Sequence, residues 1–163
     1  MISNKKHMFI SYPIIAFLFV ADQVTKFLFT DVYVNLIPDV LSLHYSENTG
    51  AAWSFLSGSV FFLAMMSILF LIVLIVFSHK FKEKSIFYSI SYGFIIGGAF
   101  GNLFDRLIHG YVKDFFKTEF MNFPIFNLAD TFLIIGVIMF SVFVMFIYPQ
   151  VEKKLAKQQD KQK

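Results

Sequence analysis

Aspartates are the residues of this sequence best suited to chemistry, and Asp114 and Asp130 flank a short segment between two apolar runs. Ionisable residues at the edge of a membrane-spanning run are costly, so each is a functional hypothesis by default. The same stretch begins near Gly97 and carries Asn-x-x-Asp-Arg at 102–106 and Asn127. We predict that Asp114 and Asp130 form a catalytic pair.

Such a pair suits acid–base hydrolysis of an amide. Two adjacent carboxylates share one proton, because both cannot ionise together. The ionised member can take a proton from an attacking water, and the protonated member can donate its proton to the carbonyl oxygen and later help the amine to leave. A helix N-terminus favours an ionised Asp130, and Phe115 and Phe116 favour a neutral Asp114. The sequence has no cysteine and no clustered histidines, which excludes a thiol nucleophile, and we expect no metal and no cofactor.

Asn127 and Asp130 also have a structural explanation. Asn127 can cap a helix, and a carboxylate three residues later can complete a capping box. An argument that rests on Asp130 alone is therefore weak.

Four apolar runs must position these residues. The chain is 57% hydrophobic and 15% charged, whereas about a quarter of the residues in a soluble domain are charged. Each run approaches the roughly 20 residues that span a bilayer, and they cover about 9–28, 59–77, 86–107 and 131–148. We expect one mainly α-helical membrane domain over 1–163 with four transmembrane helices.

The basic residues predict the orientation. Ten of the 14 Lys and Arg residues precede the first run, separate the second from the third, or follow the fourth in the tail 149–163, and 29–58 contain none. The positive-inside rule then places both termini in the cytoplasm and the aspartate pair at the outer face. The first run ends in Asp22-Gln23-x-x-Lys26 rather than in small residues, so we expect a retained helix and not a cleaved signal.

Two pieces lie between the runs on the predicted outer side. Residues 32–45 alternate with period two around Pro38-Asp39, which predicts two short strands in an extracytoplasmic β segment over about 30–57. Large apolar residues mixed with charged ones over about 113–121 predict an amphipathic interfacial helix.

Other polar groups each have two explanations. Asp22 and Lys26 lie one helical turn apart, and they either anchor a helix end as a snorkelling ion pair or face inward and hold other polar groups. The ion pair is the simpler explanation when these two residues are taken alone. Asn48 and Gly50 either form a plain turn or approach a substrate closely.

Asp105 and Arg106 can likewise be a paired interfacial charge or part of a site. Yet all these polar groups fall on the predicted outer side, whereas the cytoplasmic side carries mainly lysines and tail charges. Scattered anchors would not produce that asymmetry, so it favours a site at the outer surface. Gly93, Gly97 and Gly101, spaced by four, predict close helix packing, within one chain or between chains.

Five ordered blocks together resemble a known family. They are DQVTK at 22–26, NTGAAW at 48–53, GGAFGNLFDR at 97–106, VKDF at 112–115 and FNLAD at 126–130. This order resembles the motifs of the bacterial lipoprotein signal peptidases (signal peptidase II), from the first helix to the fourth. Lys113 stands where the family often has an apolar or small residue.

The resemblance implies an aspartic endopeptidase of the bacterial cytoplasmic membrane that cuts prolipoproteins just before a diacylglyceryl-modified cysteine. Asp114 and Asp130 would be catalytic. The residues that line the site would be Asn48, Gly50, Asn102, Arg106 and Asn127, and those that brace it would be Asp22, Lys26 and Asp105. Membrane lipid and the cyclic peptide inhibitor globomycin are implied partners; nucleic acid is not, and no oligomer is required.

Two other functions are conceivable for a sequence of this kind. A proton-coupled transporter would place its carboxylates near the bilayer midplane, whereas here they cluster at one end and no inverted repeat is apparent. A non-enzymatic scaffold could use the glycine stripe as an oligomer face, but it would not require paired aspartates.

Overall fold

The computed structural model describes residues 4–51, 53, 55–78, 85–151 and 153 of the 163-residue chain. Four helices in that part are long and apolar enough to cross a membrane. They are α1 (Asn4–Leu28), α2 (Val60–Ser78), α3 (Ile86–Ile108) and a helix over Leu128–Val151, whose first part is α4 (Leu128–Val142). A wider π-helical turn, Phe143–Ile147, follows α4. The predicted mainly α-helical membrane fold with four spanning helices is confirmed.

Helix α3 lies at the centre of the bundle and packs against the other three helices. Two thirds of its apolar stretch (67%) is buried, against 11% for α2. The apolar side chains of α2 are mostly exposed, as for Phe61 at 81%, which suits a helix whose outer surface meets lipid tails.

Glycines allow α3 to approach its neighbours closely. A methyl group on Gly93 would lie 2.7 Å from Cγ2 of Ile14, and one on Gly97 would lie 3.1 Å from Cβ of Leu18. On another side of α3, a methyl group on Gly98 would collide with the carbonyl oxygen of Ala129. The predicted packing role of the glycine stripe is confirmed, and these contacts lie within one chain.

A three-stranded antiparallel sheet lies beyond one end of the bundle. Its strands are β1 (Tyr33–Ile37), β2 (Leu41–Asn48) and β3 (Val112–Thr118), in that order across the sheet. The β1–β2 hairpin turns at Pro38-Asp39, where Asp39 adopts a φ of 59°. The two strands predicted over 32–45 are confirmed.

The interfacial helix predicted over 113–121 is wrong, because most of that segment is β3. The inner edge of β2 needs backbone partners, and β3 supplies them in antiparallel register, with Asp114 opposite Ser46. The other side of β3 is satisfied as well, since the N–H groups of Phe115 and Phe116 both donate to the carbonyl of Phe126. Phe115 is fully buried, whereas a helix lying on the membrane surface would leave it facing lipid.

Some sequence predictions fall where the structure gives no description. The lysines between the second and third apolar runs (Lys80, Lys82 and Lys84) lie outside the described residues, as does most of the tail predicted over 149–163. The fourth helix itself continues through Val151.

Candidate active site

Asp130 is held at the start of α4 by two asparagines. The side chain of Asn127 caps the helix by accepting from the Asp130 N–H at 3.0 Å, and Oδ2 of Asp130 accepts from the Asn127 N–H at 3.1 Å. Asn102 on α3 donates its Nδ2 to Oδ1 of Asp130 at 2.7 Å. The capping box predicted as a structural explanation is present, and it fixes the orientation of the half-buried carboxylate.

Asp114 on β3 is only 2% exposed and accepts two amide hydrogen bonds. Nδ2 of Asn127 donates to its Oδ1 at 2.7 Å, and Nδ2 of Asn48 donates to its Oδ2 at 2.9 Å. Burial, and next the charge of Asp130, raise the pKa of Asp114 to about 7, although the two amide donors act to lower it. This direction agrees with the predicted neutral member of the pair.

Asn127 brings the two aspartates together, because it contacts both. Its side-chain amide donates to Asp114, and its side-chain oxygen and backbone N–H hold Asp130. Asn102 continues the connection, since its Oδ1 accepts from Nδ2 of Asn127 at 3.0 Å while its own amide holds Asp130. Residues from α3, β3 and the start of α4 thus form one hydrogen-bonded unit.

A cluster of buried charges lies behind this unit, made of Asp22 and Lys26 on α1 and Asp105 on α3; we call it the charged cluster. Nζ of Lys26 lies 2.8 Å from Oδ2 of Asp22 and 3.0 Å from Oδ2 of Asp105, and it donates to Oδ1 of Asn102 at 3.1 Å. Lys26 is 2% exposed and both aspartates are fully buried. The snorkelling-anchor interpretation of Asp22 and Lys26 is therefore wrong, and the inward-facing alternative is confirmed.

The charged cluster holds the backbone on the N-terminal side of each member of the predicted pair. Oδ1 of Asp22 accepts from the N–H of Ala129 at 3.0 Å, and Oδ2 of Asp105 accepts from the N–H of Lys113 at 3.1 Å. Ala129 and Lys113 are the residues immediately before Asp130 and Asp114. Each buried carboxylate therefore fixes the strand or helix that presents one of the two aspartates.

The loop after β2 forms the local turn that was one of its two predicted explanations, and this turn is joined to the aspartate pair. Oδ1 of Asn48 accepts from the N–H of Gly50 at 2.8 Å, which is a local turn, while its amide reaches Asp114. Nη2 of Arg106 donates to the carbonyl of Gly50 at 3.2 Å. Arg106 is thus tied to this loop, and Asp105, its sequence neighbour, pairs with Lys26 instead.

Two sets of residues at the site were not predicted. Gln23 donates its Nε2 to Oδ2 of Asp22 at 3.0 Å and to Oδ1 of Asp105 at 3.2 Å, so it belongs with the charged cluster. Its place inside the DQVTK block was a usable signal. The apolar walls over 123–126 and 133–135 gave no signal, because apolar residues are ordinary in a membrane protein.

Three cavities meet at the aspartate pair. The first, of about 430 Å³, touches both aspartates, Asn102 and Arg106, and its walls over 123–126 and 133–135 are apolar; we call it the apolar cavity. The second, of about 260 Å³, touches Asp114 and is lined mainly by polar residues of 46–57 and 122; we call it the polar cavity. The third, of about 350 Å³, reaches Asp130 between α2 and α3.

The chain is similar to known proteins of one family. The family model for signal peptidase (SPase) II matches residues 14–146. The lipoprotein signal peptidase of Enterococcus faecalis is 45% identical over 122 residues, covering 75% of this chain and 73% of the relative. That of Caldicellulosiruptor bescii is 41% identical over 131 residues, covering 78% and 85%.

A solved structure is similar over nearly the whole chain. It is a bacterial membrane enzyme determined by the in meso method at 2.3 Å resolution, with a TM-score of 0.76 and 34% identity, covering 88% of this chain and 90% of that one. Neither the transporter nor the scaffold function agrees with these relatives. The chain belongs to the signal peptidase II family.

Proposed function

We propose that this protein is an aspartic endopeptidase that removes the signal peptide from diacylglyceryl-modified prolipoproteins by cutting before the lipidated cysteine. The observation that carries the proposal is Asn127, which hydrogen-bonds to Asp114 and Asp130 at once and thereby sets them side by side on a common cavity. Membership of a signal peptide-cleaving family supplies the reaction class; the aspartate pair supplies the chemistry.

The mechanism assigns one proton to two carboxylates. Asp114, whose pKa is raised to about 7, holds the proton near neutral pH, and Asp130 carries the negative charge. Asp130 takes a proton from a water molecule as that water attacks the scissile carbonyl. Asp114 donates its proton to the carbonyl oxygen, and the pair then returns a proton to the departing amine.

The neighbouring polar groups keep this pair in a productive geometry. Asn102 and Asn127 hold the carboxylates, and Asn48 ties the outer loop to Asp114. Arg106 lines the apolar cavity together with Asp114 and Asp130. Its positive charge stabilises the negative charge that develops there on the carbonyl oxygen. Asp22, Lys26 and Asp105 act behind them as braces.

The membrane position follows from the same proposal. With both termini in the cytoplasm, the sheet and the aspartate pair lie at the outer face, where a prolipoprotein emerges from the bilayer. The apolar cavity is suited to the apolar parts of such a substrate and to globomycin, which we propose competes for it. We propose, as the sequence resemblance implies, that the reaction requires no oligomer.

The test is cleavage of a diacylglyceryl prolipoprotein by purified wild type, Asp114→Asn and Asp130→Asn. Asn keeps the shape of Asp and removes its acid–base function, so each variant should lose about 10³-fold or more in rate. Asp39→Asn is the matched control, since it makes the same change in the exposed hairpin turn and should leave the rate unchanged.

Unfolding of all four proteins in detergent checks that each is folded. Full activity in either pair variant would show that the catalytic pair is wrong within the right family. Failure of wild type to cut the substrate, with or without lipid on the cysteine, would refute the proposed function.

A further inference from the structure

The third cavity is a cleft that runs from the aspartate pair along three helices. Asp130 and Arg106 line the end of it that lies at the start of α4 and near the end of α3. From there its walls continue along α3 to Ala99, and along α2 they extend from Leu63 to Phe70. Seven residues of an α-helix rise about 10 Å, so the cleft reaches about that far from the site along the helix axes.

Beyond the polar groups at the site, the walls of the cleft are apolar. The described lining residues there are Leu63, Met66, Phe70, Ala99 and Leu133, and Ser67 is the polar exception among them. Helix α2 packs against α3 but makes no extensive contact with α4 among the described residues. Met66 and Phe70 are exposed. The cleft therefore faces lipid between α2 and α4.

The size of the cleft suits an acyl chain better than a helix. A helix is about 10–12 Å across with its side chains, and a cleft of about 350 Å³ over this length is too narrow to hold one. A single hydrocarbon chain is thin and flexible, and it needs only apolar contacts. The shape and the walls of the cleft both favour such a chain.

The substrate of the proposed function would bring an acyl chain to this place, and the inference rests on that function. The lipid is attached to the cysteine that follows the cut, through a thioether only a few covalent bonds from the scissile amide. When the scissile bond lies at Asp114 and Asp130, the two acyl chains must begin beside this pair. The third cavity begins there as well, and the apolar cavity remains for other apolar parts of the substrate.

Ser67 determines the depth of the cleft by its small size. It is half-buried and lies one turn after the buried Ala64, on the face of α2 that meets α3. Its hydroxyl donates to the carbonyl of Leu63 in the same helix at 2.9 Å, so the hydroxyl proton is used within α2. A larger side chain at this position would fill the part of the cleft that lies farther from Asp130.

We propose that the third cavity binds one acyl chain of the diacylglyceryl group, and that the small side chain of Ser67 allows it to accept long chains. Ser67 is then a specificity-determining residue for the lipid. It takes no part in the chemistry, which stays with the aspartate pair.

The experiment compares two prolipoprotein peptides whose diacylglyceryl group carries either two butanoyl or two palmitoyl chains. The kcat/KM of the full-length protein is measured for both in the same mixed micelles. Ser67→Phe should lower kcat/KM for the palmitoyl peptide about 10-fold relative to the butanoyl peptide, since an apolar pocket rejects a group that is slightly too large by about this factor. The butanoyl peptide should be cut nearly as by wild type, because its chains end before they reach residue 67. Ser67→Leu should produce the same selectivity to a smaller degree.

Two variants are matched controls. Ser67→Ala removes the hydroxyl without adding bulk. Ser141→Phe adds the same ring at an exposed serine of α4 outside the cleft, whose hydroxyl also donates to its own helix, to the carbonyl of Val137 at 2.8 Å. Both variants should keep the wild-type ratio of the two peptides. Unfolding in detergent shows whether each variant is folded, and Ser67→Leu decides the question if Ser67→Phe is not.

A loss of cleavage in Ser67→Phe that is equal for both peptides would overturn the inference, because the cleft would then hold the signal peptide or only membrane lipid. An unchanged ratio in Ser67→Phe and Ser67→Leu would also overturn it, as would a ratio that Ser67→Ala changes. In each of these cases, cleavage by wild type would leave the peptidase function standing. Failure of wild type to cut either peptide would instead remove the proposed function, and this inference with it.

Discussion

Two buried polar clusters join α1 to α3, one at each end of their contact. The charged cluster, Asp22, Lys26 and Asp105, lies beside the aspartate pair. At the other end, His7 and Ser11 of α1 meet Ser89 of α3, and all three are buried; we call this the hydroxyl cluster. Between the two, the glycines of α3 bring the helices together.

The two clusters differ in what they hold. In the hydroxyl cluster, Nδ1 of His7 lies 2.9 Å from Oγ of Ser89, and Oγ of Ser11 donates to the Ser89 carbonyl at 3.1 Å. These bonds fasten one helix to the other. The bonds of the charged cluster reach further, to the backbone of β3 and to that of α4, next to each member of the predicted catalytic pair.

The difference explains why charges are used at one end. Buried ions carry a large desolvation cost, and hydrogen bonds of serine hydroxyls can join two helices without it. A carboxylate, however, accepts several hydrogen bonds at once, and here each buried aspartate binds Lys26 and a backbone N–H. Charge is thus found where one side chain must orient several elements.

Breaking the charged cluster should have the largest effect. Lys26→Met would leave Asp22 and Asp105 buried without their shared cation, so we expect the free energy of unfolding to fall by about 3–5 kcal/mol. Cleavage by the protein that remains folded should fall by about 10²-fold, because Asp114 and Asp130 would no longer be aligned with each other. Unfolding in detergent and kcat/KM on the lipidated peptide measure the two effects.

Lys117→Met is the control for that variant. Lys117 pairs with Glu119 at 3.1 Å, but the pair is partly exposed, so its loss should cost less than about 1 kcal/mol. Equal effects of the two substitutions would mean that the charged cluster does not brace the site.

A smaller effect is expected in the pH profile. Cleavage should decline as the pH rises above about 7, because Asp114, whose pKa is raised to about 7 by burial and by Asp130, then loses the proton that it donates. Asn48→Ala removes an amide donor that favours the ionised carboxylate, so the decline should move to higher pH. A profile of kcat/KM against pH for both proteins tests this; a shift to lower pH would contradict it.

The raised pKa of Asp114 also makes the free energy of unfolding depend on pH. Because the pKa of folded Asp114 lies above its ordinary value of 3.8, the folded state holds the proton more tightly than the unfolded state. The contribution of Asp114 is therefore complete below about pH 4 and is lost as the pH rises toward 7. The difference in unfolding free energy between wild type and Asp114→Asn should follow that direction across this range.

Much of the fold could be predicted because hydropathy and alternation are local signals. The four apolar runs gave four helices, although α1 begins at Asn4 rather than near Phe9, and α4 begins at Leu128 because Asn127 caps it. The β1–β2 hairpin was predictable from period-two alternation around Pro38-Asp39. Strand β3 was not predictable, because its partner β2 lies more than 60 residues away in the sequence. No local pattern over 113–121 indicates that this segment pairs with β2.

The polar residues of the site could be predicted, but not the direction in which all of them face. The motif order identified the family and its polar residues, whereas spacing alone left Asp22 and Lys26 ambiguous. An i, i+4 pair has the same spacing whether it faces lipid headgroups or the bundle interior, and only the packing of α3 against α1 decides between them. Gln23 was missed for the same reason, since its two aspartate partners become neighbours only when the helices pack.

The smallest effect should come from the hydroxyl cluster. Ser89→Ala removes the hydroxyl that contacts Nδ1 of His7 and that donates to the Ser85 carbonyl at 3.0 Å. We expect the free energy of unfolding to fall by about 1 kcal/mol, the usual net contribution of such a hydrogen bond. Cleavage by the folded protein should not change, since these bonds fasten α1 to α3 far from β3 and the start of α4. Ser89→Ala should be measured beside Lys26→Met. If Ser89→Ala lost both stability and cleavage, both ends of the α1–α3 contact would position Asp114 and Asp130. Helix packing as a whole, rather than the charged cluster, would then set the geometry of the site.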